Sequence, residues 1–273
     1  MIPPVAEPGP AGVRVLFADA HIVVVDKPHG VPSVPARTPL DPPCVAAVLH
    51  NAYGAIEAVH RLDRDTSGIL VLARSTAARA SLGRAFETRR VAKRYEAIVH
   101  GVPVRPEGEV HLPLAPDPLR PPRHRVDPIS GKLAITRWRV MDRNGAADRP
   151  RSLLELEPLT GRSHQLRVHL AWLGTPILGD RLYGQPVRCR PVDRLMLHAG
   201  WLRFPHPADG RAMEIESPSG FRGDAEVVEH RQVDDQVPIA CFLGRAIAQE
   251  TCGAVSGGSA HRQPGRFFFI RNT

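Results

Sequence analysis

The sequence predicts a strand-rich α+β fold with few helices, and three observations carry that prediction. Apolar, β-branched runs of strand length recur from Val13 to Ser217. Only three stretches over the same span have helical spacing, and clusters of Gly, Pro, Asp and Ser separate the segments. At 273 residues the chain can bury one large core or two small ones.

Taken in order, the Pro-rich residues Met1 to Pro10 are expected to be disordered as part of an unstructured N-terminus covering residues 1–11. Val13 to Phe17 and Ile22 to Val25 flank Ala18-Asp19-Ala20-His21 and read as a hairpin. Pro28, Pro32, Pro35 and Pro39 then exclude both helix and inner strand. Cys44, Val45, Val48 and Leu49 have helical spacing. Ile69 to Ala73 is an unbroken apolar run, the mark of a strand covered on both faces. Ser75 is placed to cap a helix that turns Ala78, Leu82, Ala85 and Phe86 inward, with Arg89 and Arg90 at its C-terminal end.

Val91 to Val99 reads as a strand with Tyr95, Ala97 and Val99 on one face. A Pro-rich loop holding Arg120, Arg123, His124 and Arg125 follows, with Asp127 as the nearby carboxylate. A strand is expected after the Gly131 turn, and another over Leu153 to Pro158. Ser163 is placed to cap a helix over His164 to Leu173, which Gly174 and Pro176 end. Leu195 to Phe204 and Ala212 to Ser217 complete the strands. Residues 222–273 have poor periodicity and are expected to be an unstructured tail, with a marginal helix over Ile239 to Ile247.

The net charge of +8 and pI near 10.0 suit a polyanion, nucleic acid before membrane. Lys27, Lys93 and Lys132 are the only lysines, so the charge is almost all Arg, which forks onto phosphate and stacks on bases. Codon bias is the alternative source of that composition. Few acids balance the Arg120, Arg123 and Arg125 cluster, which favours a phosphate-contacting surface. Cys44, Cys189, Cys241 and Cys252 are too far apart for a zinc site or a disulfide framework. His164 and His169 are five apart and do not share a helix face, so no metal is expected. The start MIPPVAEPGP lacks the basic and apolar regions of a signal peptide, and no run reaches membrane-span length. A soluble, cytoplasmic protein with no membrane partner is expected.

The densest chemistry lies in His60 to Ala73, HRLDRDTSGILVLA, where a charged loop runs into the buried strand. This stretch resembles the signature loop of the RluA family of RNA pseudouridine synthases. KRYEAIVHG and LTGRSHQLRVHLAWLGTPILGDRLYG resemble its second and third motifs, and LMLHAGWLRFPHP its closing core segment. The resemblance implies the pseudouridine synthase fold, with a mostly antiparallel mixed sheet and a central active-site cleft, over residues 12–221. It also implies that Asp63 is the catalytic carboxylate, that Arg167 pairs with it, and that Tyr95 lies in the active site. His60, Arg61, Thr66 and Leu166, with Arg120, Arg123 and Arg125, are the expected RNA contacts. RPPRHRV is similar to the small single-domain branch without an S4 domain, which implies ribosomal and/or transfer RNA stem-loops as partners; a monomer is expected.

Pseudouridine formation breaks a glycosidic bond, turns the base and rejoins it through C5, with no net redox change and no cofactor required. It needs an ionised carboxylate near C1′, and a buried guanidinium keeps such an acid charged. An aromatic wall holds the detached uracil, and the uridine must first leave its stack. Arg61 either fills the vacated space or meets a phosphate, or else pairs with Asp65. Were Asp65 to point inward beside Asp63, a two-carboxylate glycoside hydrolase would be the rival enzyme. Against it, Trp138, Trp172 and Trp201 lie in core-like patterns. An RNA-binding protein without catalysis is the second alternative.

Overall fold

The computed structural model describes residues 10–35, 42–144, 150–184 and 192–221. The expected disorder up to Gly9, the tail over residues 222–273 with its marginal helix, and Cys189, Cys241 and Cys252 lie outside the described residues.

A short 3-10 turn at Pro10–Gly12 leads into β1 (Arg14–Ala18) and β2 (Ile22–Lys27), which form the expected hairpin. Its turn is closed by Asp19, whose carboxylate accepts the His21 and Ile22 N–H groups at 2.7 and 2.9 Å. The described part of the following Pro-rich segment has no regular structure. The helical spacing after Cys44 gives two short turns, α1 (Val45–Val48) and α2 (His50–Tyr53). β3 (Glu57–Ala58) and the charged loop then lead into β4 (Ser67–Ala73), whose seven residues are all buried. α3 (Thr76–Glu87) is capped as expected, Ser75 Oγ accepting the Ala78 N–H at 3.1 Å.

β5 (Ala92–His100) is followed by β6 (Glu107–Pro116) and β7 (His124–Val126), then β8 (Lys132–Asn144) and β9 (Arg151–Pro158). α4 (Gln165–Trp172), β10 (Leu197–Pro205) and β11 (Ala212–Glu216) complete the order. One expectation is corrected here: His124 and Arg125 lie on the short strand β7 rather than in a loop. β6, which the sequence reading did not identify, runs through Pro113. Pro113 turns its carbonyl away from β8 to accept the Asp127 N–H at 2.9 Å, so its missing N–H interrupts no bond to β8.

The strands make one mixed sheet in the order β1-β2-β4-β10-β5-β9-β8-β6-β7, with β3 added to β4 and β11 to β10. Among the described residues every pairing is antiparallel except that of β4 with β10, which spans only His198–Ser67 and Ala199–Gly68. Gly68 makes that junction possible. Its φ is +117°, and a Cβ there would sit 2.4 Å from the Ala199 carbonyl oxygen.

β2 from Ile22 to Val25 and β4 from Ile69 to Ala73 are unbroken apolar runs, and both their faces are covered. Val23, Val25, Leu70 and Leu72 pack with Val45 and Leu49 on one side. Ile22, Val24, Ile69 and Val71 pack with Leu82 of α3 and Phe204 on the other. Beyond the junction, Leu166 and Leu170 of α4 pack with Ala97, Leu154 and Leu156 of β5 and β9. The two halves of the sheet therefore have separate cores, and the charged loop enters β4 where they meet.

Candidate active site

The loop before β4 is fixed through its backbone. Ser33 Oγ donates to the Leu62 carbonyl at 2.9 Å and accepts the Leu62 N–H at 3.0 Å. Lys27, fully buried, gives its three ammonium hydrogens to the carbonyls of Pro28, Val31 and Arg64 at 2.8 to 3.0 Å. Gly30 N–H also reaches the Arg64 carbonyl, at 2.9 Å, and Thr66 N–H closes a turn on Asp63 at 3.1 Å. Burial pulls the Lys27 amine down to about 7, opposed by Asp65 and Asp63. Three acceptors need three N–H donors, and only the ammonium form has them.

This scaffold presents Asp63 at the wall of a cavity of about 860 Å³. Arg167 Nη1 lies 3.3 Å from its Oδ2, so the predicted pair forms across the sheet junction. The same guanidinium is held more tightly by Asp180, with Nε to Oδ2 at 2.8 Å and Nη2 to Oδ1 at 2.7 Å. Asp180 Oδ1 also accepts the N–H groups of Leu182 and Tyr183. Burial works against the Arg167 charge, but Asp180 first and Asp63 second more than offset it, and its pKa rises above the ordinary arginine value. A guanidinium shared by two carboxylates is the electrostatic centre of the site.

Tyr95 lines the same cavity from β5. Burial raises its phenol pKa and the Asp63 charge adds to that, so it stays protonated. Leu166 and Thr66 contribute further wall. His60 forms wall of another kind: its Nε2 accepts the Val71 N–H at 3.1 Å and its ring stacks on Phe86 at 4.8 Å. Burial and the nearby Lys93 charge push His60 down to about 3, so it is neutral. Phe86 is accordingly half-buried at the cavity rather than sealed in the core.

Arg61 is exposed and lines both this cavity and a second hollow of about 690 Å³, which shares Asp63 and His164 with it. Among the described residues it makes no ion pair with Asp65, so that alternative is set aside. Asp65 is exposed and is on the wall of neither space. Asp180, the acid beside Arg167, is engaged by Arg167 and two N–H groups and is not on the wall of either space. The Arg-rich segment is more balanced than expected. Arg120 pairs with Asp117 at 2.9 Å and Arg125 with Asp127 at 3.0 Å, while Arg123 lines the second hollow.

Helix α4 starts differently from the prediction. Ser163 makes no cap; His164 takes the N-cap position in a left-handed conformation, φ 54° and ψ 18°. Gln165 does the anchoring, accepting from Thr160 Oγ1 and Arg162 N–H and donating to the Ile135 carbonyl and Thr136 Oγ1. The motif thus aims His164 at the site, ties Gln165 to the sheet, floors the cavity with Leu166 and delivers Arg167 to Asp63. Among the described residues no cluster of three or more His, Cys, Asp or Glu is arranged to hold a metal ion. No helix among them is long and apolar enough to cross a membrane. Trp172 is 51 % exposed rather than in the core. Sequence reasoning did not single out Lys27, Ser33, Asp180 or Tyr183; a lone lysine at the end of a strand, one residue past its apolar run, and an acid directly after Gly179 were the available signals.

The family model for RNA pseudouridylate synthase matches residues 21–172, which include Asp63, Tyr95 and Arg167. The dual-specificity RNA pseudouridine synthase RluA of Escherichia coli K12 is 44 % identical over 207 residues, covering 76 % of this chain and 93 % of that protein. The protein of the same name from Yersinia pestis is 41 % identical, over 76 % of this chain and 99 % of its own. Among solved structures, human RNA Pseudouridylate Synthase Domain Containing 1 superposes with a TM-score of 0.69 at 30 % identity, covering 81 % of this chain and 90 % of that one. With a mixed, mostly antiparallel sheet, a central cleft and these relatives over three-quarters of its length, the chain belongs to the RluA family of RNA pseudouridine synthases.

Proposed function

We propose that Asp63, Arg167 and Tyr95 convert specific uridines of ribosomal and/or transfer RNA stem-loops to pseudouridine. One observation carries this: a carboxylate 23 % exposed at a cavity wall, with Oδ2 on a buried guanidinium and Oδ1 left for the substrate. Oδ1 works at the ribose while the C1′–N1 bond breaks. The uracil turns against Tyr95, C5 joins C1′, the C5 proton leaves to solvent and N1, freed from the sugar, takes one up, so the product is an isomer of the uridine. Taking the uridine out of its stack costs a few kcal/mol, less in a loop. Arg61, exposed where the two hollows meet, is placed to fill the gap the base leaves, and Arg123 to meet a neighbouring phosphate; Arg120 and Arg125 contribute long-range attraction. The chemistry asks nothing of a metal or cofactor. Residues 12–221 make the catalytic domain, acting as a cytoplasmic monomer. The bacterial relatives are named dual-specificity RNA pseudouridine synthases, which supports more than one RNA target.

The test uses unmodified transfer and ribosomal RNA transcripts carrying tritium at uridine C5, since rejoining through C5 expels that label. The wild-type chain releases tritium, whereas Asp63→Asn binds RNA equally well and releases none. Release by Asp63→Asn removes Asp63 from the mechanism, and binding without release by the wild type favours the non-catalytic alternative.

A further inference from the structure

A second group reaches the Asp63 oxygen that Arg167 holds: His164 Nε2 lies 3.8 Å from Oδ2. His164 occupies a left-handed conformation that residues with a side chain rarely keep unless their surroundings hold them there. What holds this one is Tyr183, whose hydroxyl is 2.6 Å from His164 Nδ1. That hydroxyl already accepts the His124 backbone N–H at 2.7 Å, and the assignment that uses its own hydrogen as well is donation to Nδ1. A ring nitrogen that accepts carries no proton. The neutral imidazole therefore has its hydrogen on Nε2, the nitrogen facing Asp63.

Arg167 alone cannot orient the acid. Two of its nitrogens are taken by Asp180, and the one that reaches Asp63 does so at 3.3 Å, which leaves the carboxylate free to rotate. A second donor on the same oxygen removes that freedom. Resting on the reading of Asp63 as the reacting acid, we propose that His164 is a positioning residue: its Nε2–H closes on Oδ2 when RNA fills the cavity, Oδ1 is thereby aimed at the ribose, and Tyr183 sets the tautomer that makes this possible. The 3.8 Å separation is that of the RNA-free site, and such contacts tighten in the substrate complex.

The groups facing His164 fit this role. Asp63 comes from the signature loop, Arg167 from its own helix, His124 from β7, and Asp180 and Tyr183 from the turn after α4. Burial lowers the proton affinity of His164, Asp63 opposes it, and Arg167 and His124 add to it, so the ring is neutral at pH 7.

The experiment compares the full-length wild type with His164→Ala, Tyr183→Phe and Asp63→Asn on the tritiated transcripts. Single-turnover rate, RNA Kd and the pH profile between pH 5.5 and 8.5 are the readouts. Misplacing a reacting group by about an ångström slows turnover by up to about a hundredfold. His164→Ala is expected near that figure and Tyr183→Phe at about tenfold, with Kd within about threefold of wild type. Tyr183→Phe takes away the donor that keeps Nδ1 unprotonated, so the imidazole gains a proton more readily and ties Asp63 into an ion pair. Its acid limb then moves to higher pH, which a mere loss of packing would not produce.

A rate within twofold of wild type in either variant overturns the proposal, as does an unmoved acid limb in Tyr183→Phe or a loss that appears in Kd alone. Should His164→Ala fail to fold, Tyr183→Phe decides, because it keeps the His164 ring and the aromatic ring packed against it and removes only the hydroxyl. Turnover surviving in Asp63→Asn refutes the acid assignment itself, whatever the histidine variants do.

Discussion

Replacing Arg167 with Met separates what the guanidinium does for the fold from what it does for the reaction. Arg167 is 3 % exposed and the Asp180 side chain 0 %. Without Arg167, Asp180 Oδ1 keeps the N–H groups of Leu182 and Tyr183 at 2.9 and 3.1 Å, but Oδ2 loses the Nε–H that it accepts. Removing one partner of a buried ion pair costs about 3–5 kcal/mol, because the other charge is left uncompensated. At about 2–4 °C per kcal/mol for a domain of this size, Arg167→Met should melt about 6–20 °C below wild type. Adding Asp180→Asn removes the stranded charge, so the double variant should regain most of that loss in urea unfolding. Turnover in the tritium assay should not return with it, because Asp63 still has no cation. A loss below about 1 kcal/mol in Arg167→Met would refute the buried triad. Recovery of turnover along with stability would refute a separate role for Arg167 at Asp63.

Other substitutions probe the frame around the site. Gly68→Ala would put a Cβ 2.4 to 2.7 Å from three backbone atoms of Ala199 at a positive φ. Strain and overpacking together should cost about 2–5 kcal/mol in chemical unfolding, and an unchanged midpoint would argue against the close β4–β10 approach. Lys27→Met leaves the carbonyls of Pro28 and Val31 without their ammonium partner, while Arg64 keeps the Gly30 N–H. It should lose about 2–6 kcal/mol, together with turnover as the loop holding Asp63 loosens. His60 and His169 are held neutral, at about 3 and about 4. Below pH 6.5 the unfolded chain binds protons at these positions that the folded chain does not. Their stabilisation is therefore complete above pH 6.5 and falls as the pH drops toward those values, by about 1.4 kcal/mol per pH unit for each ring. His60→Gln should flatten this slope between pH 4 and 6.5 in urea titrations, and an unaltered slope would contradict a neutral His60.

Periodicity sufficed wherever a segment's burial is set by its own sequence. Ile69 to Ala73 reads as buried on both faces because every side chain in it is apolar, and α3 reads from Ser75 because its cap is local. The reading faltered where a distant residue decides. β6 contains Pro113 and Pro116, and only the placement of Asp127 shows that the first is harmless. Ser163 is a sound cap by type, yet the chain must turn left-handed at His164 to aim that ring at Asp63, and Gln165 takes over the anchoring. Asp117 lies three residues before Arg120 and was legible as its partner. The choice of Asp63 over Asp65 came from the motif, since two acids in one loop look alike until Ser33 and Lys27 orient the backbone between them.

The distances around Arg167 argue for a division of labour. If the guanidinium held Asp63 as tightly as it holds Asp180, both carboxylate oxygens would be engaged and neither could approach a sugar carbon. If Asp63 were its only anion, a long side chain with several free torsions would have to find one geometry unaided, inside a cavity that loses its water when a base enters. Asp180 resolves both problems from outside the reaction. It takes two nitrogens at 2.7 and 2.8 Å, fixes the plane of the fork and keeps the charge in place, leaving Nη1 to reach one oxygen of Asp63 at 3.3 Å. The reacting acid has a cation on one oxygen without being immobilised before RNA enters, and the rigidity sits on the carboxylate that touches no substrate. This arrangement needs the loop before β4 and the helix after β9 to meet. They do so at the one parallel pairing among the described strands, where Gly68 lets β4 lie against β10.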